Sequence, residues 1–209
     1  MVDFALVRER ALQGGIAASV LWGAGINGVF FFTSLFLQRA AGFSATRTGL
    51  VFVPLAILVV LVTPFTPRLT ERFGPARTSA CGLVLVAAGL AAVSLTRDQV
   101  TMLRLLPGVA AIGIGSALAV PLTSSVLAAV PPARAGVASG LMGVAREASG
   151  LVGISVIGLI VTAGHPVPVH GRLSDAFIGG YGTGLLVAAA FSLIAAVIAE
   201  RTLPGPRRE

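Results

Sequence analysis

Six long uncharged stretches run through this 209-residue chain, cut at near-regular intervals by arginines. Charge is absent from Ala11 to Gln38, Thr48 to Pro67, Thr78 to Thr96, Leu105 to Ala133, Ala148 to Gly171 and Ala176 to Ala199. A bilayer core of about 30 Å needs roughly 20 apolar residues to be crossed by a helix. Five stretches meet that length and the third falls a residue short. Lipid offers no partner to backbone N–H and C=O groups, so segments inside it close their own hydrogen bonds as helices. The pattern predicts an all-α membrane protein of six transmembrane helices, over residues 13–37, 48–67, 78–96, 105–129, 137–163 and 177–199. Together they form one domain over 1–209, ending in a short tail at 201–209.

Composition changes this picture little. Hydrophobic residues make up 56% and charged residues 11%, against roughly 25% charged in a soluble domain. The net charge of +7 raises nucleic acid as a partner, but the arginines lie scattered between spans rather than in one patch. Nucleic acid is therefore excluded, and the lipid bilayer is the expected partner. All basic residues are arginines. One set of alternate connections holds Arg8, Arg10, Arg68, Arg72, Arg77, Arg134, Arg146, Arg201, Arg207 and Arg208, ten in all; the other holds Arg39, Arg47, Arg97, Arg104 and Arg172, five. Cytoplasmic loops collect the positive charge, so both termini are expected in the cytoplasm. The loop His165 to Asp175 then reads as solvated and extracellular. Its two histidines, His165 and His170, come with no further cluster of Cys, Asp or Glu that would make a metal site, and the lone Cys81 in the third helix reads as a small apolar residue. No cofactor is expected.

Short connections make consecutive helices antiparallel neighbours. The even layout is compatible with two three-helix repeats, one to three and four to six, related by inverted topology. Glycines fall within the spans at small-residue spacing, as in Gly136/Gly140 and Gly180/Gly184, with Gly150 and Gly153 on the fifth helix. Such residues let helix backbones approach closely.

A few polar residues interrupt the spans. Asn27 near the centre of the first needs a partner, across a helix interface or in a wet cavity. Phe30, Phe31 and Phe32 cover nearly a full turn beside it, and Gln38 closes the same helix. Pro121 removes a backbone hydrogen bond inside the fourth span and pushes on the carbonyl four residues back. Thr123, Ser124 and Ser125 are candidates to satisfy the freed groups, and the kinked segment is a candidate cavity wall. Arg146 and Glu147 mark the fifth span: the uncharged piece from Ala148 to Gly164 is too short to cross alone, so this pair enters the membrane. As helix neighbours the two point in different directions. One can meet a cavity while the other pairs with a helix or snorkels to the surface. Ser-His-Asp sets and acidic clusters are absent, which argues against an intramembrane enzyme.

The segment Pro67-Arg-Leu-Thr-Glu-Arg-Phe-Gly-Pro-Ala-Arg77, expected as a loop, resembles the cytoplasmic loop signature of the major facilitator superfamily. Leu69, Glu71, Arg72, Gly74 and Arg77 fit it; Pro67 stands where the signature begins with glycine, and Glu71 where Asp is usual. Phe36-Leu-Gln38, Gly42-Phe-Ser and Thr48-Gly-Leu with Pro54, and the run from Pro121 through Arg134-Ala-Gly136 to Gly153, are similar to the second half of its fourteen-helix drug:proton antiporters. The resemblance implies a six-helix C-terminal half of an exporter in a bacterial plasma membrane, moving small hydrophobic or cationic compounds against protons. Its first and fourth helices would line the cavity, with Asn27, Phe31, Gln38, Pro121, Thr123, Arg146 and Glu147 as candidates for substrate contact. The second and fifth would meet an N-terminal half or a second copy, the third and sixth would face lipid, and Leu69 to Arg77 would form a cytoplasmic gate. The alternative is a transport-inactive remnant or the subunit of a split permease.

Overall fold

In a computed structural model the chain is described over residues 10–39, 42–96, 102–128, 130–131, 135–162 and 175–203. Helices account for nearly all of it: α1 (Arg10–Arg39), α2 (Ala45–Val62), α3 (Thr66–Phe73), α4 (Pro75–Leu95), α5 (Met102–Leu118), α6 (Val120–Ala128), α7 (Ala135–Thr162) and α8 (Asp175–Thr202). They build six candidate membrane spans, Gln13–Arg39, Ala45–Phe73, Pro75–Leu95, Leu103–Ala128, Ala135–Val161 and Gly179–Thr202. The loop expected at His165–Asp175, the segment before Arg10 and the tail after Leu203 lie outside the described residues, apart from the backbone of Asp175 in α8.

Two spans are composite. The second is α2, a 3-10 turn over Thr63–Phe65, and α3, 29 residues in sequence, about 43 Å at helical rise. Pro64 and Pro67 are the second residues of the 3-10 turn and of α3, inside the first turn, where a missing N–H costs little. So the segment expected as a loop after the second helix is mostly helix. The span runs beyond the apolar core and carries Arg68, Glu71 and Arg72 with it. Gly74 then ends α3 at φ +83°, its N–H bonded to the Thr70 carbonyl (2.9 Å), a backbone geometry open to glycine at little cost.

The fourth span breaks at Ala119, between α5 and α6. Pro121 has no N–H to offer the carbonyl of Ala117, four residues back. That acceptor is met instead by the Thr66 hydroxyl from the second span, at 3.3 Å. Of the nearby hydroxyls expected to do this, Ser124 Oγ donates instead to the Pro121 carbonyl at 3.3 Å.

Packing follows the two-triplet layout. The first span packs on the fifth as the fourth does on the second, and the first on the sixth as the fourth does on the third, while the third and sixth pack on each other. Exchanging helices one to three with four to six maps each of these pairs onto another or onto itself, as inverted repeats require. Glycine sets the distances. A Cβ on Gly82 would lie 2.6 Å from the Gly115 carbonyl oxygen, and one on Gly89 would lie 2.7 Å from that of Gly108. Along the first–fifth seam a Cβ on Gly28 would lie 2.8 Å from the Gly153 carbonyl oxygen, while one on Gly153 would overlap the Ala24 carbonyl. Polar bonds add to the sixth span's seams: Ser94 Oγ donates to the Gly182 carbonyl at 3.1 Å, and the Thr33 and Tyr181 hydroxyls share a 2.7 Å bond. The Tyr181 ring stacks on Phe36 at 4.5 Å.

Exposure is uneven. Sixty-one percent of the third span's apolar window and 50% of the sixth's are buried, against 11% of the second's and 22% of the fifth's. The third and sixth each leave one stripe outward, through Cys81, Val84 and Ala88 on one and Leu186, Ala190, Leu193 and Val197 on the other. A single apolar stripe suits lipid. The second and fifth, by contrast, expose broad faces.

Candidate functional site

A cavity of about 400 Å³ lies between the first, second, fourth and fifth spans. From α1 it takes Ser19, Trp22, Gly23, Ile26, Asn27 and Phe30; from α2, Leu55; from the fourth span, Ser116, Thr123 and Leu127; from α7, Ser139, Met142, Gly143 and Arg146. The α1 residues recur every three or four positions, a single helix face. So do those of α7. Most of the wall is apolar, with a few polar groups converging on it, the ordinary make-up of a small-molecule site.

The break at Ala119 shapes this site. Above it, α5 is held against the third span by the glycine seam. Below it, α6 brings Thr123 and Leu127 to the cavity, while Pro121 itself is buried in the packing and lies outside the wall. Of the residues expected from sequence, Asn27, Thr123 and Arg146 meet here. Asn27 Nδ2 donates to the Gly23 carbonyl at 2.8 Å, so its own helix takes one of the two amide N–H donors.

Phe31, Gln38 and Glu147 lie elsewhere. Phe30 takes the place expected of Phe31, which is 49% exposed on the outer surface, while Phe32 is buried against Gly158. The helical turn of about 100° per residue separates the three. Gln38 is exposed at the end of α1, with its amide on Ser34 Oγ at 3.1 Å. Glu147 is exposed outside the cavity wall, on the face shared with Val144 and Leu151, so the adjacent charges do diverge.

Several wall residues carry no signal in the sequence, Trp22 and Ser19 among them. The Trp22 indole N–H and the Ser19 hydroxyl are buried without a hydrogen-bond partner. An unmet buried donor costs about 1–3 kcal/mol. Neither residue interrupts an apolar pattern, so nothing in the spacing pointed to them.

The segment carrying the loop signature lies apart from the cavity. On α3, Glu71 and Arg72 are exposed and Leu69 is half-buried; the Arg72 guanidinium lies over the Phe73 ring at 5.4 Å. Arg77 is exposed in the first turn of α4, and Thr78 caps the turn with its Oγ1 on the Gly74 carbonyl at 2.9 Å. The turn is thus a hydrogen-bonded corner that carries Glu71, Arg72 and Arg77 on its outer side. The first-loop motif has a similar physical basis. Gly42 turns at φ +67°, Ser44 caps α2 by accepting the Arg47 N–H at 3.2 Å, and Thr48 is buried.

The sequence profile of the Major Facilitator Superfamily matches residues 3–154, which is most of the chain. The chain belongs to the Major Facilitator Superfamily. Among curated members of the superfamily, it is 30% identical over 164 residues to the multidrug resistance protein Stp of Mycobacterium tuberculosis, covering 78% of this chain and 30% of that protein. It is 32% identical over 203 residues to the cephamycin export protein CmcT of Amycolatopsis lactamdurans, covering 91% of this chain and 40% of that protein. To the puromycin resistance protein pur8 of Streptomyces alboniger it is 30% identical over 224 residues, 95% of this chain and 44% of that protein. The chain therefore spans well under half the length of these relatives.

Proposed function

We propose that this chain forms one half of a membrane exporter for small, largely apolar compounds. The cavity carries the reading. It is bounded by four spans, two of which, the second and fifth, are the least buried of the six. A second unit set against those spans, an N-terminal half or another copy, would close the cavity's open side. The names of the relatives, in drug resistance and antibiotic export, agree with this.

Transport follows by alternating access: the ligand rests between the halves while contacts at either membrane face form and break in turn. The corner at Gly74 would be one such contact. Both termini would lie in the cytoplasm, as the arginine bias requires, which puts Glu71, Arg72 and Arg77 at the inner surface. Leu69 packs the gate helix, and Gly74 fixes its angle. The three charges would pair with the other half in one state and part in the other. Proton antiport would drive export, with Glu147 a candidate proton carrier.

Efflux of a dye from vesicles, from cells expressing the chain alone and with a six- or eight-helix partner, tests the proposal. The expected result is efflux that collapses when the proton gradient is discharged. Absence of efflux in every combination would favour a transport-inactive remnant. Glu147→Gln is expected to lower gradient-driven efflux at least tenfold; an unchanged pH dependence removes Glu147 from coupling.

A further inference from the structure

The polar atoms around the cavity are unequal in kind. Arg146 brings a permanent positive charge and donors only, and Trp22 brings a single donor. Among the described residues of the cavity wall there is no Asp or Glu. Ser139 Oγ is committed to the Gly136 carbonyl at 3.0 Å and Asn27 Nδ2 to Gly23 at 2.8 Å, whereas Trp22 Nε1 and Ser19 Oγ are buried and unmet. The first–fifth seam brings these groups to one level. Gly23 sits against Ser149 and Asn27 near Gly150; one turn toward the start of both helices, the same register sets Arg146 level with Ser19 and Trp22.

We propose that the ligand held here is an apolar body bearing an anionic oxygen, such as a carboxylate or a phenolate. This rests on reading the cavity as the substrate site, and it narrows the hydrophobic or cationic range that the family resemblance implies. The anionic oxygen takes the Arg146 guanidinium, the one charged group on the described wall. The apolar body lies along Ile26, Phe30 and Leu55. A cation would meet the Arg146 charge with no carboxylate to offset it.

Trp22 is the chain's single tryptophan, so tryptophan emission reports this cavity alone. The full chain in dodecylmaltoside is titrated with 1-pyrenebutyrate and with 1-pyrenemethylammonium, which share one aromatic body and differ in charge. Quenching by the anion is expected at about tenfold lower concentration, the scale of one charge-assisted contact. Arg146→Gln should erase the difference. Ser139→Asp, which adds a carboxylate to the wall, should shift preference toward the cation and guards against a folding defect in the first variant. Equal quenching by both probes, or an anion preference that survives Arg146→Gln, overturns the charge assignment and leaves the exporter reading standing. Quenching by neither probe overturns the cavity as a binding site, and this inference with it.

Discussion

The third and fifth spans use the same residue in opposite ways. In the third, Gly82 and Gly89 bring the backbone against the carbonyls of Gly115 and Gly108, with no room for a methyl group. In the first part of α7, Gly136, Gly140 and Gly143 have nothing within 4 Å of where a Cβ would stand. Small residues in a membrane helix mark a close approach, and on the third span that approach is already made. On the fifth, the second half of the helix has its partners: Gly153 meets Ala24, and Gly184 of the sixth span meets Ile157. The three glycines of the first half have none within the described residues, although Ala138 and Met142 beside them are buried. A glycine motif thus reports the capacity for a seam, and only the tertiary structure tells which seams this chain fills by itself.

The sharpest way to break the comparison is to overfill the closed seam. Gly82→Leu should cost about 3 kcal/mol or more, at the upper end for overpacking because backbone atoms, not side-chain tips, stand in the way. Loss of the monodisperse peak on heating in detergent would report it; a retained peak means the third and fourth spans are further apart than described. Thr66→Val comes next. It strands the Ala117 carbonyl beside Pro121 and should cost about 1–2 kcal/mol, read as a lower thermal midpoint, whereas Thr66→Ser should restore most of it. Tyr181→Phe keeps the stack on Phe36 and loses only the bond to Thr33, so about 1 kcal/mol is expected. The smallest effect probes the open face. Gly140→Ala should stabilise the chain by about 0.5–1 kcal/mol, the ordinary helix preference. Destabilisation there would mean that the face is already packed, against another copy in the detergent particle.

Six spans were legible because length and apolarity are sufficient signals in lipid. Their ends were not, since charge marks where the apolar core stops and helices continue past it. Arg39 ends α1 and Arg68 to Arg72 lie inside α3 for that reason. The kink at Pro121 was legible from the missing N–H, but its remedy sits 51 residues away on Thr66, and no local pattern encodes that distance. In the site, Asn27, Thr123 and Arg146 stood out because polar atoms are costly in a span. Trp22 and Ser19 passed as ordinary span residues. Phe30 rather than Phe31 lines the cavity, a difference of one step around the helix that rotates a side chain by about 100° and requires neighbours to fix.

The bond between Thr66 and Ala117 is also a mechanical link. Thr66 heads the helix that bears Glu71 and Arg72, and Ala117 closes the helix just above the break that frees Thr123 and Leu127 to form the cavity wall. The charged corner and the break in the fourth span are thus joined by a hydrogen bond as well as by the packing of the two spans. The Thr66 Oγ1 also lies 3.4 Å from the Val62 carbonyl of its own span, so it can let go of Ala117 and stay bonded.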